Sequence, residues 1–467
     1  MKILAYLFTL LLANSLFAQQ PGCNCEQAFE KLIIKVETEY PGFTAKTKEQ
    51  SRYKSFKKNL AGKAKKASNS VCPGLLKEYT DFFKDPHLWV GANGSPFSTV
   101  ANTVVNTIAI DIQDFQNKLQ FTKDEYEGIW ANESYKLGVK KTGPNEYTGF
   151  IIEAKSNQWK PKDIKFRLFS NGEFEYAMLD RSLKNGVYEL IEKDILLLQD
   201  VNVTLVKQTP APALSSKQAE EKLKELDSFY FKRLTPKTAV LKLPSFEYQH
   251  LQTITGLIKQ NKSLLEESGN LIIDLRGNPG GTTDAYHELL PYISGKTIRH
   301  TGTEFLATQT YINNLEAYKK TLDKNVSTGA IDSNIKRLKE NLGKFVNFYD
   351  AKDPSATIEQ IELASKSPGN IIILANHLTG SSAEYFLFIA KQSKKVKIFG
   401  KPSYGALDYG NAYLTDLGCS NYQVFMPTYR ALRLPDYPID NIGIQPDVYL
   451  DKSVKNWVEF AVDYLEK

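Results

Sequence analysis

An uninterrupted apolar run, a short turn and a second apolar stretch constrain this chain more than any other feature. Residues 371–375 read Ile-Ile-Ile-Leu-Ala, and the turn after them holds Gly380 and Ser381. Apolar residues then recur with helical spacing over 383–390. The pattern predicts a buried strand, a tight turn and a helix whose N-terminus carries Ser381.

Ser381 supports two interpretations at that position. With Glu384 three residues later it forms a capping box, in which both side chains satisfy backbone N–H groups at the helix start. The same geometry suits chemistry, because a helix N-terminus stabilises negative charge and supplies free N–H donors. A serine there can attack a carbonyl while the N–H of Ser382 holds the oxyanion. Only residues elsewhere in the sequence can distinguish a helix cap from a nucleophile.

A second strand and turn precede this one. Residues 271–275 read Leu-Ile-Ile-Asp-Leu and lead directly into Arg-Gly-Asn-Pro-Gly-Gly at 276–281. Glycines permit close backbone approach, so this turn can aim bare N–H groups at one point. A phosphate-binding loop fits poorly, because the turn has neither a Gly-x-Gly-x-x-Gly pattern nor a Gly-Lys-Ser ending.

The N-terminal residues indicate where the protein is located. Residues 1–18 carry one early lysine, an apolar stretch and a small residue suited to cleavage, which predicts a secretory signal peptide. No other long apolar segment follows, so we expect an exported protein, periplasmic or secreted, without stable membrane insertion. The formal net charge of +6 is mild and dispersed, which argues against nucleic acid as a partner.

The four cysteines are compatible with disulfides in an exported protein. We expect Cys72 to pair with Cys23 or Cys25, which leaves Cys419 without an obvious partner. The spacing of Cys23 and Cys25 is wrong for a structural zinc knuckle, and no His-Glu-x-x-His motif occurs. The sequence therefore predicts neither a metal nor another cofactor.

Changes in pattern divide the mature chain into three parts. Residues 19–120 form an N-terminal helical region that ends in a strand at His87, and residues 121–208 form an antiparallel β insert. Residues 209–467 form an α/β core, which begins with a Pro-rich linker at 209–216. About seven short strands in the insert predict a small barrel or sandwich. Within the core, residues 282–367 form an excursion with predicted helices at 311–323 and 333–349, either a surface helix pair or a lid or oligomer arm.

Histidine is the side chain best suited to take a proton from a serine near neutral pH. The chain has only five candidates for this base: His87, His250, His287, His300 and His377.

Two segments of the core resemble motifs of the C-terminal processing (tail-specific) serine peptidases. Residues 271–281 are similar to that family's Asp-Leu-Arg-x-Asn-x-Gly-Gly signature, and residues 376–384 are similar to its nucleophile turn. The helical region ending in Asp-Pro-His at 85–87 and the segment 440–447 resemble the tricorn-core branch. The resemblance implies a crotonase/ClpP-like α/β peptidase core.

The resemblance also implies roles for particular residues. Ser381 would be the nucleophile, His87 the base and Asp440 the group that orients it. The oxyanion would meet N–H groups of Ser382 and of the turn at Gly280 and Gly281.

Three departures from the family pattern qualify these roles. Ala406 stands where the tail-specific branch has a lysine, which disfavours a Ser–Lys dyad, and Pro86 replaces a serine that assists the tricorn-like triad. The insert does not resemble the family's peptide-binding PDZ module. His377 and His287 are the rival bases, although His377 is so close to Ser381 in sequence that we expect it to point away.

The sequence thus predicts an exported serine endopeptidase that cleaves unfolded proteins or peptides through an acyl-enzyme on Ser381. The alternative is a non-catalytic binding protein that keeps the same core as a ligand cleft. The sequence predicts no oligomeric state.

Overall fold

A computed structural model of the chain describes residues 22–467 except for short gaps: 98–105, 180, 182, 199–200, 202, 323–325, 350–352, 420–421, 452 and 455. The predicted signal peptide, residues 1–18, lies outside the described residues. Within these described ranges, no helix combines the length and the hydrophobicity needed to cross a bilayer.

The N-terminal region is helical, as predicted, and ends in a short hairpin and one further helix. Its elements are α1 Cys25–Glu39, α2 Phe43–Lys46, α3 Gln50–Ala64, α4 Cys72–Asp81, β1 Trp89–Ala92, β2 Ser95–Pro96 and α5 Ile112–Lys118. Asn24 and Gln27 form a capping box that starts α1. The apolar faces of α1 and α4 pack together through Phe29 and Tyr79, whose rings meet edge to face at 5.4 Å.

Two disulfides fasten this region. Cys25 pairs with Cys72, which confirms one of the two expected pairings. The expectation that Cys419 lacks a partner is wrong, because it pairs with Cys23 across 396 residues. The sequence alone did not predict this pair, because the two cysteines are far apart in the chain and come together only through the tertiary fold.

The β insert is a closed antiparallel barrel of eight strands, so the barrel alternative is correct and the sandwich is not. The strands are β3 Gly128–Ala131, β4 Tyr135–Gly143, β5 Glu146–Ala154, β6 Ile164–Phe169, β7 Glu173–Ala177, β8 Leu183–Ile191, β9 Ile195–Leu198 and β10 Val203–Thr209. Pairing of β10 with β3 closes the barrel. Helix α5 packs against its outside through Phe115 and Phe150, whose rings lie 5.3 Å apart.

The core begins after the barrel and is interrupted by the excursion. Its first elements are α6 Ser216–Asp227, β11 Tyr230–Arg233, β12 Thr238–Lys242, α7 Leu251–Gln260, α8 Lys262–Glu267, β13 Asn270–Asp274 and α9 Leu290–Ile293. The excursion contains β14 Thr297–Thr301, β15 Thr303–Leu306, α10 Gln309–Thr321, α11 Gly329–Glu340, β16 Phe345–Val346 and β17 Ala356–Gln360. The remaining elements are β18 Asn370–Ala375, α12 Ser382–Ala390, β19 Val396–Gly400, β20 Tyr409–Gly410, β21 Tyr413–Asp416, β22 Tyr422–Met426, β23 Tyr429–Ala431, β24 Val448–Tyr449 and α13 Trp457–Glu466.

The central sheet has the order β11-β12-β13-β18-β19-β24 and is parallel except for β11. Apolar clusters cover both of its faces, as expected for a parallel sheet with near-continuous apolar strands. Because β13 and β18 are neighbouring parallel strands, the turns that follow them meet at one edge. This register places the glycine turn beside the turn that carries Ser381.

The excursion differs from its prediction in one helix. The helix predicted over 333–349 is shorter and starts earlier, as α11, and Val346 lies in strand β16. The helix ends at Glu340 with Asn341 as its C-cap, and Gly343, with a φ of +76°, lies in the turn that leads to the strand. The apolar spacing continued across this break because the strand also buries Val346.

Candidate active site

Ser381 sits at the start of α12 with a φ of +51° and a ψ of −120°. Such a conformation is costly for a residue with a side chain and persists only where the surroundings impose it. The Ser381 N–H donates to Glu384 Oε2 at 2.9 Å. The strand, turn and helix predicted from the sequence are therefore confirmed, with the serine in a strained turn between them.

Glu384 does more than cap the helix. Its carboxylate is fully buried and also accepts the Ser403 hydroxyl at 2.5 Å and the N–H groups of Gly405 and Ala406 at 2.6 and 2.8 Å. Burial raises the pKa of Glu384, while these donors favour the ionised form. The residue thus fixes the 403–406 loop to the serine turn, a role that a capping motif alone did not reveal.

The glycine turn packs directly against the serine turn. A Cβ on Gly280 would lie 2.6 Å from the Gly380 carbonyl oxygen and 2.8 Å from the Ser381 Cβ. The turn is anchored at its base by Arg276, which pairs with Asp274 through two hydrogen bonds of 2.8 and 2.7 Å. Although burial alone would raise it, the guanidinium holds the pKa of Asp274 below its ordinary value.

The three expected oxyanion donors are not equivalent. The Gly280 N–H already donates to the Asn278 side chain at 2.9 Å. The N–H groups of Gly281 and Ser382 make no hydrogen bond among the described residues. Gly281 and Ser382 therefore keep the donor capacity that an oxyanion needs.

His87 is half-buried and is held from both its backbone and its ring. Its N–H donates to Asp85 Oδ1 at 2.8 Å, and Asp85 Oδ2 accepts the Tyr40 hydroxyl at 2.7 Å. The ring Nδ1 lies 2.8 Å from the Tyr409 carbonyl oxygen. Because a carbonyl oxygen only accepts, Nδ1 carries the proton and Nε2 of the neutral ring is left as an acceptor. This is the tautomer that a general base requires.

Asp440 is buried, and no hydrogen bond joins it to His87 among the described residues. Its Oδ1 accepts the N–H groups of Leu407 and Asp408 at 2.9 and 2.7 Å, and its Oδ2 has no partner among the described residues. Burial, together with Asp85 and Asp408, raises the pKa of Asp440 to about 8. The ring-orienting contact expected from Asp440 is made instead by the Tyr409 carbonyl.

One cavity of about 860 Å³ brings most of the predicted residues together. Its lining includes Ser381, His87, Ser382, Gly281 and Ala406. Of the rival bases, His287 also lines it, whereas His377 is not among the described lining residues. The space at Ala406 opens onto the same cavity as the serine.

Sequence reasoning missed three contributors to this site. The Tyr409 carbonyl is a backbone group, which every residue type has, so the residue type at this position could not predict its role. Asp85 stands two residues before His87, a spacing typical of side-chain-to-backbone turns that signals its contact with the His87 N–H. The third contributor, Glu384, was noticed only as a cap.

Comparisons with known proteins agree with this architecture. Residues 237–450 match the family described as Peptidase family S41. The structure of mature CPAF aligns over 95% of this chain and 97% of its own, with a TM-score of 0.51 and 13% sequence identity. The complex of mature CPAF with lactacystin aligns over 95% and 98%, with a TM-score of 0.51 and 14% identity.

Because their sequence identity to this chain is only 13% and 14%, these two structures support the fold alone. No curated protein matches the chain by sequence. The family match covers both turns described above, the serine turn and the glycine turn. Residues 237–450 are therefore similar to peptidase family S41, which supports the resemblance to the C-terminal processing peptidases.

Proposed function

We propose that this protein is an exported serine endopeptidase that hydrolyses peptide bonds of unfolded proteins or peptides through an acyl-enzyme on Ser381. The observation that carries the proposal is the shared cavity of Ser381 and His87, with the histidine in the tautomer that leaves Nε2 as an acceptor. Two disulfides support export, because such bonds persist in oxidising compartments.

Acylation follows from these groups. His87 Nε2 takes the hydroxyl proton of Ser381 while Oγ bonds to the scissile carbonyl carbon. The N–H groups of Ser382 and Gly281 stabilise the resulting oxyanion. When the C–N bond breaks, the imidazolium gives its proton to the leaving amine, and water then releases the acyl group by the same steps.

Asp440 would act as the third member of the triad by stabilising the imidazolium. The Tyr409 carbonyl orients the neutral ring. In its ionised form Asp440 would supply the negative charge that favours the imidazolium, while the only proton that moves is the one between Ser381, His87 and the leaving amine. Asp85 takes the place of the assisting serine that Pro86 removes, because it holds the His87 backbone. The tricorn-like arrangement is thus supported with different auxiliary contacts.

A fluorophosphonate probe and a hydrolysis assay test the proposal together. The mature protein should be labelled on Ser381 and should cleave an unfolded protein. Ser381→Ala and His87→Ala should each lower the rate by about a thousandfold or more, because such residues act as a unit. Ala406→Lys is the matched test of the other branch and should not restore activity to His87→Ala.

Absence of both labelling and cleavage over a wide range of peptides would overturn the proposal in favour of a binding protein. Rescue of His87→Ala by the lysine at position 406 would instead show that a Ser–Lys dyad is the catalytic unit.

A further inference from the structure

A second hydrogen-bonded chain of side chains lines the active-site cavity. The Tyr385 hydroxyl lies 2.8 Å from His300 Nδ1, and Glu359 Oε2 lies 2.7 Å from His300 Nε2. Tyr385 is one helical turn after Ser381 on α12, whereas the other two residues stand on the paired strands β14 and β17 of the excursion. All three face the cavity that contains Ser381. We call them the Tyr385 relay.

The Glu359 contact assigns the proton on Nε2 of His300, and the other proton positions are those of the neutral ring. The carboxylate of Glu359 only accepts, so Nε2 of His300 carries a proton. Nδ1 of the neutral ring is then an acceptor, and the Tyr385 hydroxyl donates to it. The phenolic hydrogen is therefore used within the relay, and the phenolic oxygen offers only lone pairs to a ligand. The other Glu359 oxygen has no hydrogen bond or ion pair among the described residues.

The charges of the cavity wall add to this excess of acceptors. Glu359 and Asp284 both line the cavity and have no cationic partner from lysine or arginine among the described residues. Arg433 also lines it; its charge is paired through Nη1 with the buried carboxylate of Asp408 at 2.7 Å, while its Nη2 has no hydrogen-bond partner among the described residues. No lysine is among the described lining residues. A neutral or cationic group is favoured at this wall over an anionic one.

We propose that the Tyr385 relay is a specificity element that selects substrates with a lysine or arginine side chain next to the scissile bond. The inference rests on the proposed function and names the substrate class of that site. The cationic head donates to the Tyr385 oxygen and to the free Glu359 oxygen, which are the acceptors that the relay leaves open. The aliphatic stem packs on aromatic groups of the same wall, such as Phe388 and Tyr349.

Pairs of peptides that differ only by lysine or acetyl-lysine test this selection. All peptides are N-acetylated and C-amidated, so that side chains supply the only charges. Wild-type protein should give a kcat/KM about tenfold or more higher for lysine at one position flanking the cleaved bond, as expected for hydrogen bonds to a charged group. Tyr385→Phe and Glu359→Gln should each bring this ratio towards one.

Tyr437→Phe and Glu362→Gln are the matched controls, because both residues are exposed and neither is among the described residues that line the cavity. They should keep the wild-type ratio. A ratio near one in a wild-type protein that cleaves both peptides would overturn the relay while leaving the peptidase intact. An unchanged ratio in both relay variants would also overturn it.

Binding to Ser381→Ala separates the two proposals. Fluorescence anisotropy with the same peptides measures selection without chemistry, so it remains informative if no peptide is cleaved and Ser381 is not labelled. Tighter binding of the lysine peptide, lost on adding Glu359→Gln, supports the relay even then. If affinity follows a free N-terminus rather than the lysine, the terminal ammonium is the recognised cation and the side-chain proposal is wrong.

Discussion

Backbone groups make many of the contacts that fix individual residues at this site. The Tyr409 carbonyl sets the tautomer of His87, and N–H groups of the 403–406 loop hold Glu384. A backbone acceptor can replace the usual carboxylate for orienting a neutral ring, but it adds no full charge when the ring becomes protonated. In the proposed mechanism the carboxylate of Asp440 supplies that charge.

Asp440→Asn should separate activity from stability. The folded carboxyl titrates at about 8 and the unfolded one near its ordinary value of 3.8, so the native state binds the extra proton between these limits. Stability from this group is present at low pH and is lost as pH rises from about 3.8 to 8. The variant should therefore gain Tm relative to wild type at pH 8.5 and much less at pH 4.5, while kcat/KM falls about a thousandfold.

Thermal unfolding and peptide hydrolysis across this pH range check the expectation. Asp436→Asn is the control, because Asp436 is exposed and its removal should leave the pH dependence of Tm unchanged. A Tm gain for Asp440→Asn that is equal at both pH values would contradict the assigned pKa.

Gly280→Ala should inactivate the site through sterics. Its Cβ would overlap the Gly380 carbonyl and the Ser381 Cβ, and its φ of +99° is unfavourable for a side chain. We expect a loss of kcat/KM of about a hundredfold or more, as small misplacements of reacting groups cause. Gly277→Ala is the control, since Gly277 has a similar φ of +80° but open space at its Cβ position. Equal losses in the two variants would show that strain, rather than the contact with Ser381, matters.

At the scale of elements, the sequence predicts best those elements that have a regular hydrophobic period and are bounded by turn residues. The strands β13 and β18 with their turns, the helix after Ser381 and the barrel were all predicted, because each has a strong period and clear turn residues. The C-terminal part of the helix predicted over 333–349 failed where one apolar pattern served both a helix and a strand. Which residues meet across elements, such as Tyr385 and His300, depends on tertiary packing that no local pattern encodes.

We expect Lys165 to make the stability of the barrel depend on pH. It is buried in β6, donates to the Ala177 carbonyl at 2.6 Å and lies 3.9 Å from the Trp159 ring centroid. Burial, helped by Arg181, lowers the pKa of Lys165 to about 7. The unfolded lysine keeps its proton to about 10.5, so the unfolded state binds more protons between these values and stability rises with pH there.

Lys165→Met should therefore raise Tm at pH 7 and flatten its rise between pH 7 and 10, measured by calorimetry on the full chain. Lys136→Met is the matched control, because Lys136 is a barrel lysine with a solvent-exposed side chain. If the control flattens the profile equally, the pH dependence does not come from Lys165.

At the scale of the whole molecule, the site depends on two parts of the chain that are far apart in sequence. His87 precedes β1, which pairs with β22, and β22 packs with the N-terminal helices in one apolar cluster. The position of His87 relative to Ser381 therefore rests on how this cluster is joined to the core. Within this cluster, the Cys23–Cys419 disulfide ties the start of the chain to the turn before β22.

Removing the two disulfides separately should show which one carries this connection. Loop-closure entropy grows with loop length, and the bonds close segments with sequence separations of 396 and 47 residues. On that basis the free energy of unfolding should fall by about 2 kcal/mol more in the double variant Cys23→Ser/Cys419→Ser than in the double variant Cys25→Ser/Cys72→Ser. Denaturant unfolding without reductant, with thiol titration of each variant, measures the difference. Because the longer link ties the N-terminal helices to the turn before β22, the strand that pairs with β1 after His87, its removal should also lower kcat/KM more. Equal effects of the two variants on stability and activity would contradict this role.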